Sequence, residues 1–281
     1  MLSHIRVVDF CSGVSQFAGH LLARLGAEVI AVEPPTGVTT RHMGPYANNT
    51  PDPNRSLTHW AYNCGKKSVI LDIEVQRDKE KFCDLLRGSD ILLEDCHPEY
   101  LASLGLSIKE LSQINPKLIH ASITPYGSNG PRSHWLGTDL TAAAGSSFMY
   151  ASGDADRAPL RVGLPHSFLH GAADAAAASL IALQERSRSG LGQHIDVSAQ
   201  ESLTIGFPQN VAPLENALPV DRMAGGISIG GMDIPILFPC LDGYTICVIL
   251  PGAAFAPFSR RLTDWLEDEI AADDNIRSID W

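Results

Sequence analysis

Residues 5–33 contain the most restrictive text in the chain. A β-branched run, IRVVDF (5–10), is bounded by Cys-Ser-Gly and reads as a buried strand. FAGHLLARLG (17–26) follows with helical spacing, which puts Phe17, Leu21, Leu22 and Leu25 on one side and leaves Gly26 as a terminator. AEVIAVE (27–33) is a second strand, closed by Pro34-Pro35. Strand, helix and strand in such short succession make a crossover unit, and crossovers join parallel strands. The chain is therefore expected to be built on a parallel sheet carrying helices.

The same pattern recurs. SVILDI (68–73), DILLED (90–95), KLIHASI (117–123) and QHIDVSA (193–199) read as strands. KEKFCDLLRG (79–88) and ELSQIN (110–115) read as helices, and 139–150 and 168–187 are helical by composition. The expected class is α/β: a doubly wound, mostly parallel, Rossmann-like sheet, which binds ligands beyond the carboxyl ends of its strands. A stretch of roughly 30 residues after Pro35 has no periodicity and reads as a functional loop. After Ser202 the text changes: residues 207–235 are rich in Pro, Gly and Asn. IPILFPC (234–240) and YTICVIL (244–250) then flank Asp242-Gly243, a hairpin signal, and a helix is expected over 257–270. The expected division is a large α/β domain at 1–205, a glycine- and proline-rich linker at 206–230, and at 231–281 the start of a smaller α+β domain, truncated here.

Composition narrows the class of function. With 44% hydrophobic and 19% charged residues the chain is globular rather than disordered. A net charge of −11 argues against general nucleic-acid binding. Much of it sits between Asp264 and Trp281, where seven acids face one base, Arg277. An anionic ligand would need a local basic site, for which Arg41, Lys66 and Lys67 are the candidates. No apolar run is long enough to span a bilayer, the N-terminus lacks the features of a signal peptide, and the six cysteines show no CxxC pair. Reduced thiols and a cytoplasmic location are expected.

Several motifs carry competing readings. In GTDLTAAAG (137–145), Asp139 precedes a small apolar helix, so it is either a helix cap or a reagent. The first turn, CSGVSQFAG, has two glycines without the GxGxxG spacing of dinucleotide sites. GISIG (226–230) matches the hydrolase elbow around Ser228, but that elbow needs a strand before it and a helix after it, and GMDIPILFP follows; a flexible glycine loop fits better. HSFLH spaces His166 and His170 by one helical turn, without the glutamate of the zinc-protease motif. Cys96 follows Glu94 and Asp95, which oppose thiolate formation, so it reads as a packed or lining residue. The lysine pair in NCGKKSVILDI is either a solvated turn or a phosphate clamp.

Taken in order, these stretches resemble the class III coenzyme A transferases, the formyl-CoA and carnitine-CoA transferase family. The matching text is VVDF…FAGHLLARLGAEVIAVEPP, Thr40-Arg41, NCGKKSVILDI, DILLEDCHPEYLASLGLS, INPKLIHASITPYGSNGP, GTDLTAAAG, SGLGQHIDVSAQES and FPCLDGYTICV, over roughly residues 5 to 250. The resemblance implies that Asp139 is the nucleophile, forming an aspartyl mixed anhydride and then an aspartyl-CoA thioester before CoA passes to an acceptor carboxylate. It implies that Arg41, Asn63, Lys66 and Lys67 hold the adenosine and phosphates of CoA. It further implies that Glu94, Asp95 and Cys96 line the CoA channel, and that Gly225, Gly226, Gly230 and Gly231 belong to a glycine-rich cover. Coenzyme A and acyl-CoA enter as substrates, with no tightly bound cofactor, no metal and no redox group. The expected partners are acyl-CoA and an acceptor acid, with no nucleic acid or membrane, and an interlocked homodimer or hetero-oligomer.

The chain departs from the family pattern at Cys64, where Arg is usual, at Asp95-Cys96, where Asn-Phe is usual, and in a first turn without proline. Family members are longer, which leaves a fragment, a split half and a short form all open. An alternative is a non-catalytic CoA-binding or partner subunit of a heteromeric transferase. Acyl-CoA racemase ranks lower, because the resemblance there requires a histidine directly before the aspartate and this chain has Thr138.

Overall fold

The computed structural model describes residues 1–154, 156–207, 222, 225–229, 232–248 and 252–270. The chain divides into two compact units, Met1–Tyr150 with Arg161–Val220 and Ala151–Leu160 with Asp221–Trp281.

The first unit alternates strands and helices: β1 (Arg6–Phe10), α1 (Phe17–Arg24), β2 (Glu28–Glu33), α2 (Leu57–Asn63), β3 (Lys67–Ile70), α3 (Gln76–Arg87), β4 (Ile91–Glu94), α4 (Tyr100–Ser103), α5 (Ile108–Ile114), β5 (Ile119–Thr124), α6 (Asp139–Gly145), α7 (Phe148–Ala151), α8 (His166–Ser189), β6 (His194–Ser198) and α9 (Ala199–Ile205). The six strands form one sheet in the order β3-β2-β1-β4-β5-β6, and every pairing is parallel. This is the doubly wound order, with its switch point between β1 and β4.

Alternation along the strands builds two cores. Val7, Val29, Ile91, Leu93, Ile119 and Ile123 face α1 and α8. Val8, Val32 and Leu92 face Phe82, Leu86 and Leu111 on the opposite side. The long α8 packs through Ala172, Ala175, Ala176, Ser179 and Ala182. Small residues let its backbone lie close to the sheet: a Cβ on Gly171 would stand 3.3 Å from Ile123 Cγ2.

Several local expectations are revised. The loop after Pro35 contains α2, whose N-cap is Ser56; its side chain accepts the His59 N–H. Pattern reading missed this helix because it buries only His59 and carries no apolar stripe. The strand expected over 68–73 ends at Ile70, while Leu71 and Ile73 turn into the core. The helix expected over 139–150 breaks at Ser147, which takes φ +68°, giving α6 and α7.

In the second unit, β7 (Gly226–Ile229) and β8 (Met232–Pro235) form an antiparallel hairpin, so GISIG supplies a strand rather than a flexible loop. Gly226 is pressed against this partner: an added Cβ would meet the Ile234 carbonyl oxygen at 2.9 Å. Gly225 precedes the strand with φ +67°, and Gly230 and Gly231 lie outside the described residues. β9 (Leu237–Cys240) pairs with β10 (Gly243–Ile246) around Leu241-Asp242, so Gly243 is already in the ladder. A helix follows at Ala256–Ile270. No described helix is long and apolar enough to cross a membrane.

Candidate active site

Asp139 is the first residue of α6, not its cap. Thr138 is the N-cap: its side chain accepts the Thr141 N–H at 3.4 Å, while Thr141 Oγ1 accepts the Thr138 N–H at 2.9 Å. The capping duty therefore falls on Thr138 and leaves the Asp139 carboxylate available. Its Oδ1 accepts the Ser167 N–H at 2.9 Å from the first turn of α8, and Ser167 Oγ donates to the Asp139 carbonyl oxygen at 3.3 Å. Asp139 is partly exposed, whereas Ser167 is fully buried.

The helix is anchored beyond the carboxyl ends of β5 and β6. The Gln200 amide N–H donates to the Pro125 carbonyl at 3.1 Å, and Gln200 Nε2 donates to the Gly145 carbonyl at 3.0 Å. Tyr126 donates its hydroxyl to Thr141 Oγ1 at 2.9 Å. Gly137 is required by contact: a Cβ there would stand 2.4 Å from Pro125 Cβ. The loop thus crosses Pro125 directly and delivers Asp139 to the edge of the sheet where ligands bind in this topology.

The remaining candidates gather around the ends of β1, β2 and β4, and most are internally engaged. Arg41 clasps Glu33 with Nε to Oε2 at 2.5 Å and Nη2 to Oε1 at 2.7 Å. Burial pushes the Glu33 carboxyl up, but hydrogen bonds from Arg41 and Ser68 outweigh it and hold the group below its ordinary range. The two lysines part ways. Lys67 is 72% exposed and pairs with Glu28 at 2.7 Å. The Lys66 side chain is 1% exposed and donates to Asp9 Oδ2, the Gln16 carbonyl and Asn63 Oδ1 at 2.6, 2.6 and 2.9 Å. All three ammonium hydrogens are committed, so Lys66 is not an open phosphate clamp in this structure. Asn63 is likewise held, its Nδ2 donating to Gln16 Oε1 at 2.9 Å. Thr40, next to Arg41, donates to Gln16 Oε1 at 2.6 Å and lies 2.9 Å from His59 Nδ1. The network ties the turn after β1 to both the Arg41 segment and α2.

Asp95 closes the switch point. Its carboxylate accepts the Ser12 and Gly13 N–H groups at 2.8 and 3.0 Å. Burial of the carboxyl raises its pKa to about 6, against those two bonds and with help from Glu94 and Asp9. The β1 turn that binds pyrophosphate in dinucleotide folds here binds a carboxylate of its own chain. Glu94 accepts the Cys96 N–H at 2.7 Å and lies 3.4 Å from His120 Nε2. Burial pushes the Cys96 thiol well up, and Glu94 and Asp95 add to the effect, so it is no nucleophile at neutral pH. His166 and His170 lie against the rings of Phe148 and Phe207, with centroids 5.5 and 6.2 Å apart. Among the described residues no group of His, Cys, Asp or Glu is arranged to hold a metal ion.

Sequence reasoning missed Asp9, Gln16, His59 and Ser167. A signal existed for one of them: an aspartate inside the apolar strand IRVVDF demands a buried partner. The others act through backbone atoms or through contacts distant in sequence.

The class defined is thus a doubly wound α/β protein with its dinucleotide turn closed and a partly exposed aspartate at the carboxyl edge of the sheet. The chain belongs to CoA-transferase family III, whose model matches residues 2–279. It is 37% identical over 274 residues to succinyl-CoA:(R)-benzylsuccinate CoA-transferase subunit BbsE of Thauera aromatica, covering 95% of this chain and 64% of that protein. It is 31% identical to the succinate–glutarate CoA-transferase of Agrobacterium fabrum, covering 97% of this chain and 68% of the relative. The crystal structure of a CAIB/BAIF family protein from Brucella suis superposes with a TM-score of 0.78 at 27% identity, covering 94% of this chain and 71% of that one. The chain therefore spans about two thirds of the length of these relatives.

Proposed function

We propose that this protein moves CoA from an acyl-CoA to a carboxylic acid, with Asp139 as the covalent nucleophile. The observation that carries this reading is the Asp139 carboxylate itself: relieved of capping by Thr138, partly exposed and, among the described residues, held through one oxygen only. A carboxylate is a modest nucleophile, but covalent capture divides one difficult exchange into easier steps. The names of these two relatives, both CoA-transferases acting between acids, support the reaction class. The segment around Arg41 and the Glu94–Cys96 turn are proposed to border the CoA, with the Arg41 side chain, paired to Glu33, only partly buried. Thr138 in place of a histidine weighs against proton exchange at an α-carbon.

The test is mass spectrometry of the Asp139 peptide after mixing with a panel of acyl-CoAs. An acyl or CoA adduct is expected on the parent and none on Asp139→Asn, which should also lose transfer while keeping its fold. Near-parental turnover by Asp139→Asn would end this reading.

A second reading draws on the relative that is named as a subunit. Here the protein works within an interlocked pair of copies or with a separate polypeptide. Light scattering combined with the transfer assay tests it, and a fully active monomer would exclude it.

A further inference from the structure

Asp139 has one oxygen held and one free. Oδ1 accepts the Ser167 N–H at 2.9 Å, and among the described residues Oδ2 has no hydrogen-bond donor. Ser167 is fully buried, and its hydroxyl returns a bond to the Asp139 backbone carbonyl at 3.3 Å. Residue 167 is the second of α8, so no carbonyl within that helix competes for its N–H. The direction of this donor is fixed by main chain in a buried position, not by a mobile side chain.

We propose that the Ser167 N–H is the oxyanion donor for the two steps that occur at the Asp139 carboxyl carbon. The proposal rests on the reading of Asp139 as nucleophile. In the first step Oδ2 attacks the thioester carbon of the acyl-CoA. Negative charge develops on the substrate's own oxygen, the carbon–sulfur bond breaks, and CoA leaves as a thiolate from a mixed anhydride. In the second step the thiolate sulfur attacks Asp139 Cγ. Charge now develops on Oδ1, the atom that Ser167 already holds. Collapse breaks the Cγ–Oδ2 bond, releases the donor acid as a carboxylate carrying that oxygen, and leaves Cγ=Oδ1 bonded to sulfur. The third step reverses this pattern with the acceptor: its carboxylate oxygen attacks Cγ, charge returns to Oδ1, and the carbon–sulfur bond breaks to give thiolate. In the fourth step the thiolate attacks the acceptor's acyl carbon, the bond from that carbon to the bridging oxygen breaks, and Asp139 is again a carboxylate. The Ser167 N–H therefore acts in the second and third steps and not in the first or fourth. Removing one preorganised donor of this kind ordinarily slows the affected step by about 10²–10³-fold.

The experiment replaces the amide at residue 167 by an ester in the full-length chain, using the α-hydroxy analogue of serine. This deletes the N–H and keeps the side chain. Ser167→Ala serves as the companion, since it keeps the N–H and loses only the hydroxyl contact. Rapid-quench mass spectrometry of the Asp139 peptide, with the fastest donor among formyl-, acetyl- and succinyl-CoA, reads the acyl adduct and the CoA adduct separately. The ester variant is expected to form the acyl adduct within about threefold of the parental rate and the CoA adduct about 10²–10³-fold more slowly. Ser167→Ala is expected to change the two rates by the same factor, so that only the ester variant separates the CoA adduct from the acyl adduct. Equal loss of both adducts in the ester variant, or loss of neither, overturns the assignment. A parent that binds these donors yet forms no adduct on Asp139 overturns the nucleophile reading, and the assignment with it.

Discussion

The Lys66 ammonium lies 2.6 Å from Asp9 Oδ2, and both side chains are buried, at 1% and 0% exposure. This pair joins the first strand to the segment leading into β3, and Gln16 and Asn63 complete the lysine's hydrogen bonds. A buried pair of this kind adds little net stability over an apolar one, but breaking it strands a charge. Lys66→Met should therefore destabilise the protein by about 3–5 kcal/mol. The double variant Asp9→Leu/Lys66→Met should recover much of the loss. Urea unfolding of the parent, the single variant and the double variant measures the coupling. A single variant as stable as the parent would mean that the pair is not formed.

Gly19 on α1 stands over the same pair. A Cβ added there would meet Asp9 Oδ2 at 2.3 Å and Lys66 Nζ at 3.1 Å. Gly→Ala ordinarily stabilises a helix by up to about 1 kcal/mol. Here the contact should reverse the sign, and Gly19→Ala should lower stability by about 1–3 kcal/mol through overpacking. Thermal unfolding decides, and a raised Tm would show that α1 has room to move.

Burial pushes the Asp95 carboxyl up to about 6 in the folded protein, above its ordinary value of 3.8. Between those values the unfolded chain releases its proton first, so this carboxyl lowers stability as pH rises from about 4 to 6 and the penalty persists above that. Asp95→Asn removes the titration, though it keeps only one of the two acceptors for Ser12 and Gly13. Its stability relative to the parent should improve by on the order of 2 kcal/mol between pH 4 and pH 8. Denaturant midpoints across that range test this; a pH-independent difference would place the carboxyl's titration elsewhere.

Thr138 and Asp139 should separate stability from chemistry. Thr138→Ala removes the N-cap of α6 and should cost about 1 kcal/mol. Asp139→Asn keeps an oxygen that can accept the Ser167 N–H and should unfold at nearly the parental denaturant concentration. The reverse ranking would mean that the carboxylate, not the threonine, holds the helix start.

The sequence by itself determined the architecture. The β-branched runs IRVVDF, AEVIAVE and DILLED, separated by amphipathic text, admit little other than a parallel sheet, because a helical crossover returns the chain to the end of the sheet where the previous strand began. It also singled out Asp139, since GTDLTAAAG narrows the residue to a cap or a reagent. Only the tertiary structure removed the capping role, by giving the cap to Thr138 and the Ser167 N–H to the carboxylate. It also turned the lysine pair inside out: neighbouring residues at the entry to a strand face opposite ways, so Lys67 went to solvent and Lys66 to Asp9, 57 residues away. Ser167 and α2 were illegible for a common reason. A backbone N–H has no side-chain signature, and a helix that buries a single histidine has no apolar period, so both become visible only when distant segments are brought into contact.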